Sequence, residues 1–276
     1  MILVSDITKN EHFIPRFFQE SWECKERKKH IWSFDKSTCS IKMVAIKHNC
    51  SEDYLYEADE NNPNNLFEKK HKAEYEDKYC GQFRNLLSSI NCLLCASDND
   101  KKMLNDMFLN FSSRHPSNLY NNPLNNALVS SFNIGDIDKV VEKRWLLNLL
   151  PFCNINDIND YKVEVLLSNS SDLCFCDCIT LGNQYGNIKF FPLAPNAVAC
   201  FSKESGCVDK SIRRITDEEK QKFLNMYIAS NYVRKIYANN KDTVELVRDK
   251  YIFYKRYIEP VCKKYLGNAG VKLNVK

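Results

Sequence analysis

Two hydrophobic periods alternate along this chain, and together they restrict its fold class. Between residues 66 and 95, apolar side chains recur at helical spacing, at Tyr79, Phe83, Leu86, Leu87, Ile90 and Leu94. Between Tyr161 and Leu167, apolar side chains instead occupy alternate positions, which is typical of a strand with one buried face. The sequence therefore predicts an α+β protein in which long helices pack on a mostly antiparallel sheet.

The other predicted elements follow the same two patterns. Further helices are expected near Trp22 and at 101–113, 136–150, 216–237 and 243–265, the last bent near Pro260. Strands are expected at 30–34, 41–46, 173–180, 188–193 and 197–201. Thr216 or Asp217 can cap the helix at 216–237, and Glu218 and Glu219 suit its positive N-terminal end.

No repeat or low-complexity linker interrupts the 276 residues. We therefore predict one α+β domain over residues 1–276, with a basic helical extension at 241–276. The net charge of +4 is too small to indicate nucleic acid or a membrane as a partner by itself. The oligomeric state stays open.

The thirteen cysteines are expected to be packing thiols. Their number is odd, the opening residues lack the pattern of a signal peptide, and no apolar run is long enough to span a membrane. A reducing cytoplasm is the expected compartment. Zinc ligation by Cys92 and Cys95, or metal binding by the alternating Cys174, Cys176 and Cys178, is the less favoured alternative.

Four polar residues stand where the pattern calls for apolar ones. Glu76 and Arg114 extend the apolar stripes of two predicted helices, Asp177 shares a strand face with Phe175, and His12 lies in an apolar run. Charged side chains are seldom buried without partners, so we expect a paired network. Two interpretations remain open, namely a structural ion-pair network and a catalytic or binding site.

The same residues carry a family resemblance. The segment from His12 to Phe18 is similar to the His-x-Val-Pro-Arg-Phe opening of a bacterial family known as domain of unknown function 4238. Further similarities follow in order at Ile31–Asp35, Tyr56, Glu68, Glu76, Ser113–Pro116, Cys176–Cys178 and Pro192–Pro195. The resemblance extends over about residues 10–240. It locates a site without implying an activity.

The first functional hypothesis is a nuclease that cleaves RNA or DNA. His12, Glu76 and Asp177 are the candidate catalytic residues, because a histidine can transfer protons near neutral pH and two carboxylates could hold Mg²⁺. Arg16 and Arg114 are candidate phosphate-binding residues. The family context suggests bacterial defence or a toxin effector as the setting.

The second hypothesis is a binding module for nucleic acid or protein. The last predicted helix interleaves aromatic residues with basic ones, among them Lys255 and Arg256, which could contact phosphates while the rings stack on bases. An ordinary solvated basic face is the alternative. A third possibility is a small nucleotide held by Arg16 and Arg114. Because the sequence has seven glycines and neither a Walker loop nor a Gly-rich dinucleotide turn, most nucleotide-dependent enzyme classes are disfavoured.

Overall fold

The computed structural model describes residues 9–57, 63, 69, 72–114, 160–178, 181–182, 188–230 and 233–262. Its strands are β1 (Asn10–His12), β2 (His30–Asp35), β3 (Ser40–Ala45), β4 (Ser51–Asp53), β5 (Lys162–Leu167), β6 (Phe175–Cys176), β7 (Leu181–Gly182), β8 (Ile188–Ala194), β9 (Ala197–Ser202), β10 (Ile212–Arg214) and β11 (Lys235–Ala238). Its α-helices are α1 (Arg16–Glu20), α2 (Asp77–Ser89), α3 (Asp98–Arg114), α4 (Asp217–Ala229) and α5 (Lys241–Phe253). The helix predicted at 136–150 lies outside the described residues.

The larger sheet has the strand order β10-β5-β9-β8-β7. All its pairs are antiparallel except β10 with β5, and strands β8 and β9 are joined by a tight turn at Pro195 and Asn196. Every residue of β9 is buried, so this sheet is covered on both faces. The expected mixed α+β fold with a mostly antiparallel sheet is confirmed.

The second sheet has the order β3-β2-β11-β6, with every pair antiparallel. Strand β11 lies where the last residues of the helix predicted at 216–237 were expected, so that part of the prediction is wrong. The helix begins as predicted, at a capping box between Thr216 and Glu219, but it ends at Ala229. The ammonium group of Lys36, from a distant turn, binds the carbonyl oxygens at this helix end, a long-range contact that local periodicity does not show.

Phe18 of α1 joins the two sheets and the helices. Its ring is fully buried. It lies 5.8 Å from the ring of Phe83, 5.5 Å from Phe111, and 5.7 Å from both Phe175 and Phe191. These partners belong to α2, α3, β6 and β8, so one side chain connects four separate elements of the core.

Two further predictions needed correction. The predicted helix 66–95 ends earlier than expected: the regular α-helix covers Asp77–Ser89, after a π turn (Lys72–Glu76) and before a 3-10 turn (Ile90–Cys92). Residues 66–68 and 70–71 of the predicted helix lie outside the described residues. Leu94, expected on its buried face, is 89% exposed, because Cys95 forms a β-bridge with Ser211. In the described part of the strand predicted at 173–180, which ends at residue 178, the ladder pairs lie at β6. Over the described ranges, the helices lack the length and apolar character that crossing a membrane requires.

Replacing Phe18 by alanine should lower the free energy of unfolding by about 3–5 kcal/mol, because it removes a buried ring from contacts with four elements. Phe253→Ala is the matched control, since that ring is 56% exposed and its loss should cost less than about 1 kcal/mol. Urea unfolding followed by circular dichroism measures both. Equal losses in the two variants would contradict the central position of Phe18.

Candidate functional site

The guanidinium group of Arg114, at the end of α3, is the centre of a buried polar cluster. Its side chain is fully buried. It donates hydrogen bonds to the Glu76 carboxylate at 2.8 Å, to the main-chain oxygen of His12 at 2.5 Å, and to the Tyr56 hydroxyl at 3.1 Å. We call His12, Tyr56, Glu76 and Arg114 the Arg114 cluster. The pairing of Glu76 with Arg114 is the kind that buried charges require.

Tyr56 ties the turn after β4 to the same cluster. Its hydroxyl donates to the main-chain oxygen of Arg114 at 3.2 Å, and the guanidinium carbon lies 5.4 Å from its ring centre. Its backbone N–H donates to the Glu11 carboxylate at 2.6 Å. The strand β1, the turn and the end of α3 are therefore joined through charge-assisted hydrogen bonds.

The imidazole ring of His12 has a different role from its main chain. Strand β1 pairs with β4, and the side chain of His12 is only 5% exposed. Among the described residues, its Nε2 atom has no hydrogen-bond partner. Burial, together with the charges of Arg16 and Arg114, lowers the pKa of His12 to about 4, against an opposing effect of the Ile46 and Lys47 backbone. The ring is therefore neutral at pH 7.

Arg16 lies at the surface, close enough for its charge to act on the His12 ring. It is the first residue of α1, directly after Pro15, and its side chain is exposed. Its charge is the second largest cause of the lowered pKa of His12, after burial. An exposed guanidinium thus lies beside a buried neutral imidazole.

Asp177 belongs to a separate network. Its carboxylate accepts hydrogen bonds from the backbone N–H groups of Cys178 at 3.1 Å, Arg234 at 3.1 Å and Lys235 at 3.0 Å. Burial raises the pKa of Asp177 to about 6, and these three N–H groups oppose the shift. The carboxylate braces the edge between β6 and β11. None of these hydrogen bonds joins it to the Arg114 cluster, and its catalytic role stays a prediction.

The two basic candidates after α5, Lys255 and Arg256, contact different partners, and neither partner belongs to the Arg114 cluster. The Lys255 ammonium pairs with the buried carboxylate of Glu259 at 2.6 Å. Arg256 is exposed and packs on the ring of Tyr257, with 5.8 Å from its guanidinium carbon to the ring centre. The structure therefore brings together His12, Glu76 and Arg114, places Arg16 beside them, and leaves the other candidates elsewhere.

Sequence reasoning missed two polar features, the Glu11 contact to Tyr56 and the buried Lys36. Glu11 directly precedes His12 and looks like a surface residue of a short strand, yet it is fully buried. Lys36 follows β2 in a polar turn that gives no sign of burial. In both cases the partner lies far along the chain, so a single sequence carries no local signal.

Residues 10–134 match a family model described as Protein of unknown function (DUF4238). The match confirms the family resemblance within this segment. It includes all four residues of the Arg114 cluster, namely His12, Tyr56, Glu76 and Arg114. The DUF4238 match ends before β5, so the similarities at Cys176–Cys178 and Pro192–Pro195 stay predictions. No curated protein and no solved structure matches the chain.

A metal site was one expectation for the carboxylates. Within the described ranges, no three His, Cys, Asp or Glu side chains form a group that could hold a metal ion. Glu76 and Asp177, the two carboxylates considered for Mg²⁺, are engaged in different hydrogen-bond networks.

Replacing Arg114 by methionine should lower the free energy of unfolding by about 3–5 kcal/mol, because it leaves Glu76, Tyr56 and a main-chain oxygen without their buried donor. Arg84→Met is the matched control. Arg84 also pairs with a glutamate, Glu20, at 2.9 Å, but with 60% of its side chain exposed, so its loss should cost less than about 1 kcal/mol. Chemical denaturation separates the two. A small effect at Arg114 would show that the cluster is not structural.

Proposed function

We propose that the chain is a nuclease that hydrolyses phosphodiester bonds of RNA or DNA, with His12 as the general base. The observation that supports this is the buried, neutral imidazole whose Nε2 atom has no partner among the described residues, beside the exposed Arg16. A buried nitrogen without a partner is a position where water binds. A water held there is the proposed nucleophile.

In the proposed reaction, the phosphate of the substrate binds Arg16 at the surface, and the water on Nε2 attacks phosphorus. The water proton passes to Nε2, and the ester oxygen leaves with a proton from solvent. A pKa of about 4 makes the free imidazole a weak base. Binding of a phosphate anion offsets the positive charge that lowers this pKa, so the basicity of His12 rises when substrate is present.

Glu76 and Arg114 are positioning residues in this proposal. Both groups are engaged with each other, and Arg114 also holds the main-chain oxygen of His12. They fix strand β1 and therefore the imidazole. A small displacement of a general base lowers the rate strongly, because proton transfer depends on distance.

Purified protein should degrade at least one of RNA, single-stranded DNA and duplex DNA, tested with and without Mg²⁺. His12→Gln should reduce the rate by at least about 100-fold, the usual contribution of a general base. His48→Gln, which changes an exposed histidine, should leave the rate unchanged. Since His12 must be neutral to act and kcat/KM reports the free enzyme, kcat/KM should rise with pH through about 4 and then level off.

Intact substrates under all these conditions would overturn the nuclease proposal, as would equal rates for His12→Gln and wild type. Asp177→Ala distinguishes the two interpretations of that residue. A loss of activity in a folded variant would place Asp177 in the reaction, whereas lower stability with unchanged activity would make it a brace.

One observation favours a binding module as the second candidate function. Phe253 and Tyr257, near the end of α5, are 56% and 54% exposed, and Arg256 packs on the Tyr257 ring. Such a surface can stack bases and contact phosphates. Arg256→Glu should then abolish binding of single-stranded nucleic acid in a filter assay, while His12→Gln leaves binding intact. Lys255 is a poorer test, because it neutralises the buried Glu259.

The free thiols support a reducing compartment. The twelve cysteines in the described part of the chain form no disulfide. Burial raises the pKa of Cys200 to about 12, which keeps this thiol protonated and unreactive at pH 7. We therefore propose the cytoplasm as the location.

A further inference from the structure

A polar cleft lies where the end of α4, the turn after β2 and the end of α5 meet. Its volume is about 330 Å³, at the small end of the range of about 300–1,000 Å³ found for small-molecule sites. It is lined by Lys36, Ser37, Ile228, Ser230, Val233, Arg234, Tyr251, Tyr254, Lys255 and Glu259.

Lys36 forms the fixed base of the cleft. Its ammonium group donates to the main-chain oxygens of Tyr227 at 3.1 Å, Ile228 at 3.0 Å and Ser230 at 2.7 Å. Burial lowers its pKa to about 8, so it is still mostly charged at pH 7. Because these carbonyl groups hold the charge in place, it needs no rearrangement to attract an anion.

Two more cations, Arg234 and Lys255, line the cleft. The Arg234 side chain is 67% exposed, and its Nε lies 3.7 Å from the Asp35 carboxylate, which is too long for a hydrogen bond. Asp35 is instead satisfied by Ser37, through its backbone N–H and its hydroxyl group. Lys255 pairs with Glu259. The lining therefore contains three cations, Lys36, Arg234 and Lys255, and one carboxylate, Glu259. The N–H groups of the Arg234 guanidinium can donate hydrogen bonds to an anion.

The remaining wall is aromatic. Tyr251 and Tyr254 are half-buried, and both follow the helical face that turns toward the cleft. The ring of Tyr251 is fixed by Phe34, at 5.7 Å between ring centres, and by Lys36, whose ammonium lies 5.1 Å from the Tyr251 ring centre. Fixed rings next to cations suit a ligand with both a planar part and an anionic part.

We propose that this cleft binds a nucleoside monophosphate, with the phosphate on Arg234 and Lys255 above Lys36, and the base against Tyr251 and Tyr254. This site shares no residue with the Arg114 cluster. It goes beyond the proposed nuclease function and does not depend on it. If the chain is also a nuclease, the site is of the class that senses or retains a product of nucleic acid hydrolysis.

Isothermal titration calorimetry of the full chain with AMP, CMP, GMP and UMP tests the proposal, with adenosine and inorganic phosphate as separate probes. At least one nucleotide should bind with a dissociation constant of 1 mM or tighter, a free energy of about 4 kcal/mol. Adenosine and phosphate should each bind at least about tenfold more weakly, because each lacks one of the two recognised parts.

Arg234→Gln should weaken nucleotide binding about tenfold or more, since it removes a charge-assisted hydrogen bond from an exposed side chain whose loss does not threaten folding. Arg248→Gln is the matched control on α5, outside the cleft lining, and should bind as wild type does. Tyr254→Leu should weaken nucleotide binding but leave the weak binding of phosphate unchanged.

Three results would overturn the proposal: no binding of any of the four nucleotides at millimolar concentration, equal affinity for nucleotide and inorganic phosphate, or unchanged affinity in Arg234→Gln. None of these bears on nuclease activity, which His12→Gln tests separately. Loss of nuclease activity with intact nucleotide binding would leave the cleft assignment standing.

Discussion

A fully buried arginine is the constraint on which the N-terminal half of this structure depends. A guanidinium group carries five N–H donors and a charge that is not lost at any physiological pH, so burial without acceptors would be prohibitive. Arg114 finds acceptors on three separate segments, at His12, Tyr56 and Glu76. These segments must therefore meet at the end of α3. The π turn that ends at Glu76 and the short strand β1 are positioned by this requirement, in addition to the apolar packing around Phe18.

The same arrangement separates the two hydrogen-bonding parts of His12. Its main-chain oxygen satisfies Arg114, while its ring remains neutral and leaves Nε2 without a partner among the described residues. The positive charges nearby favour the neutral ring, and they also favour an approaching anion. The structural role of Arg114 and the proposed proton transfer by His12 are thus compatible in one cluster, because they use different atoms of His12. Lys36 likewise has two roles, because its ammonium group binds carbonyl oxygens at the end of α4 and also lines the polar cleft.

Much of this could be predicted from the sequence where the cause is local. The period of two predicts β5, strands were also expected where β8 and β9 lie, and the Thr216–Glu219 capping box marks the start of α4 within one residue. Polar residues on apolar stripes indicated a paired network that includes Glu76 and Arg114, and these two residues do form an ion pair around the buried guanidinium group. The end of α4, the pairing of β11 and the separation of Asp177 from the cluster depend on contacts across the fold, with Lys36, β2 and β6. Neither helical nor strand periodicity contains that information, which is why strand β11 was predicted as helix.

The most direct test of this account is a pH titration of the His12 ring by NMR, with labelled histidine and assignment through the His12→Gln variant. The buried ring, which is also within reach of the charges of Arg16 and Arg114, should titrate at about pH 4. A titration near about 6.5, the value of an unperturbed histidine, would contradict the burial of His12 and with it the Arg114 cluster as described.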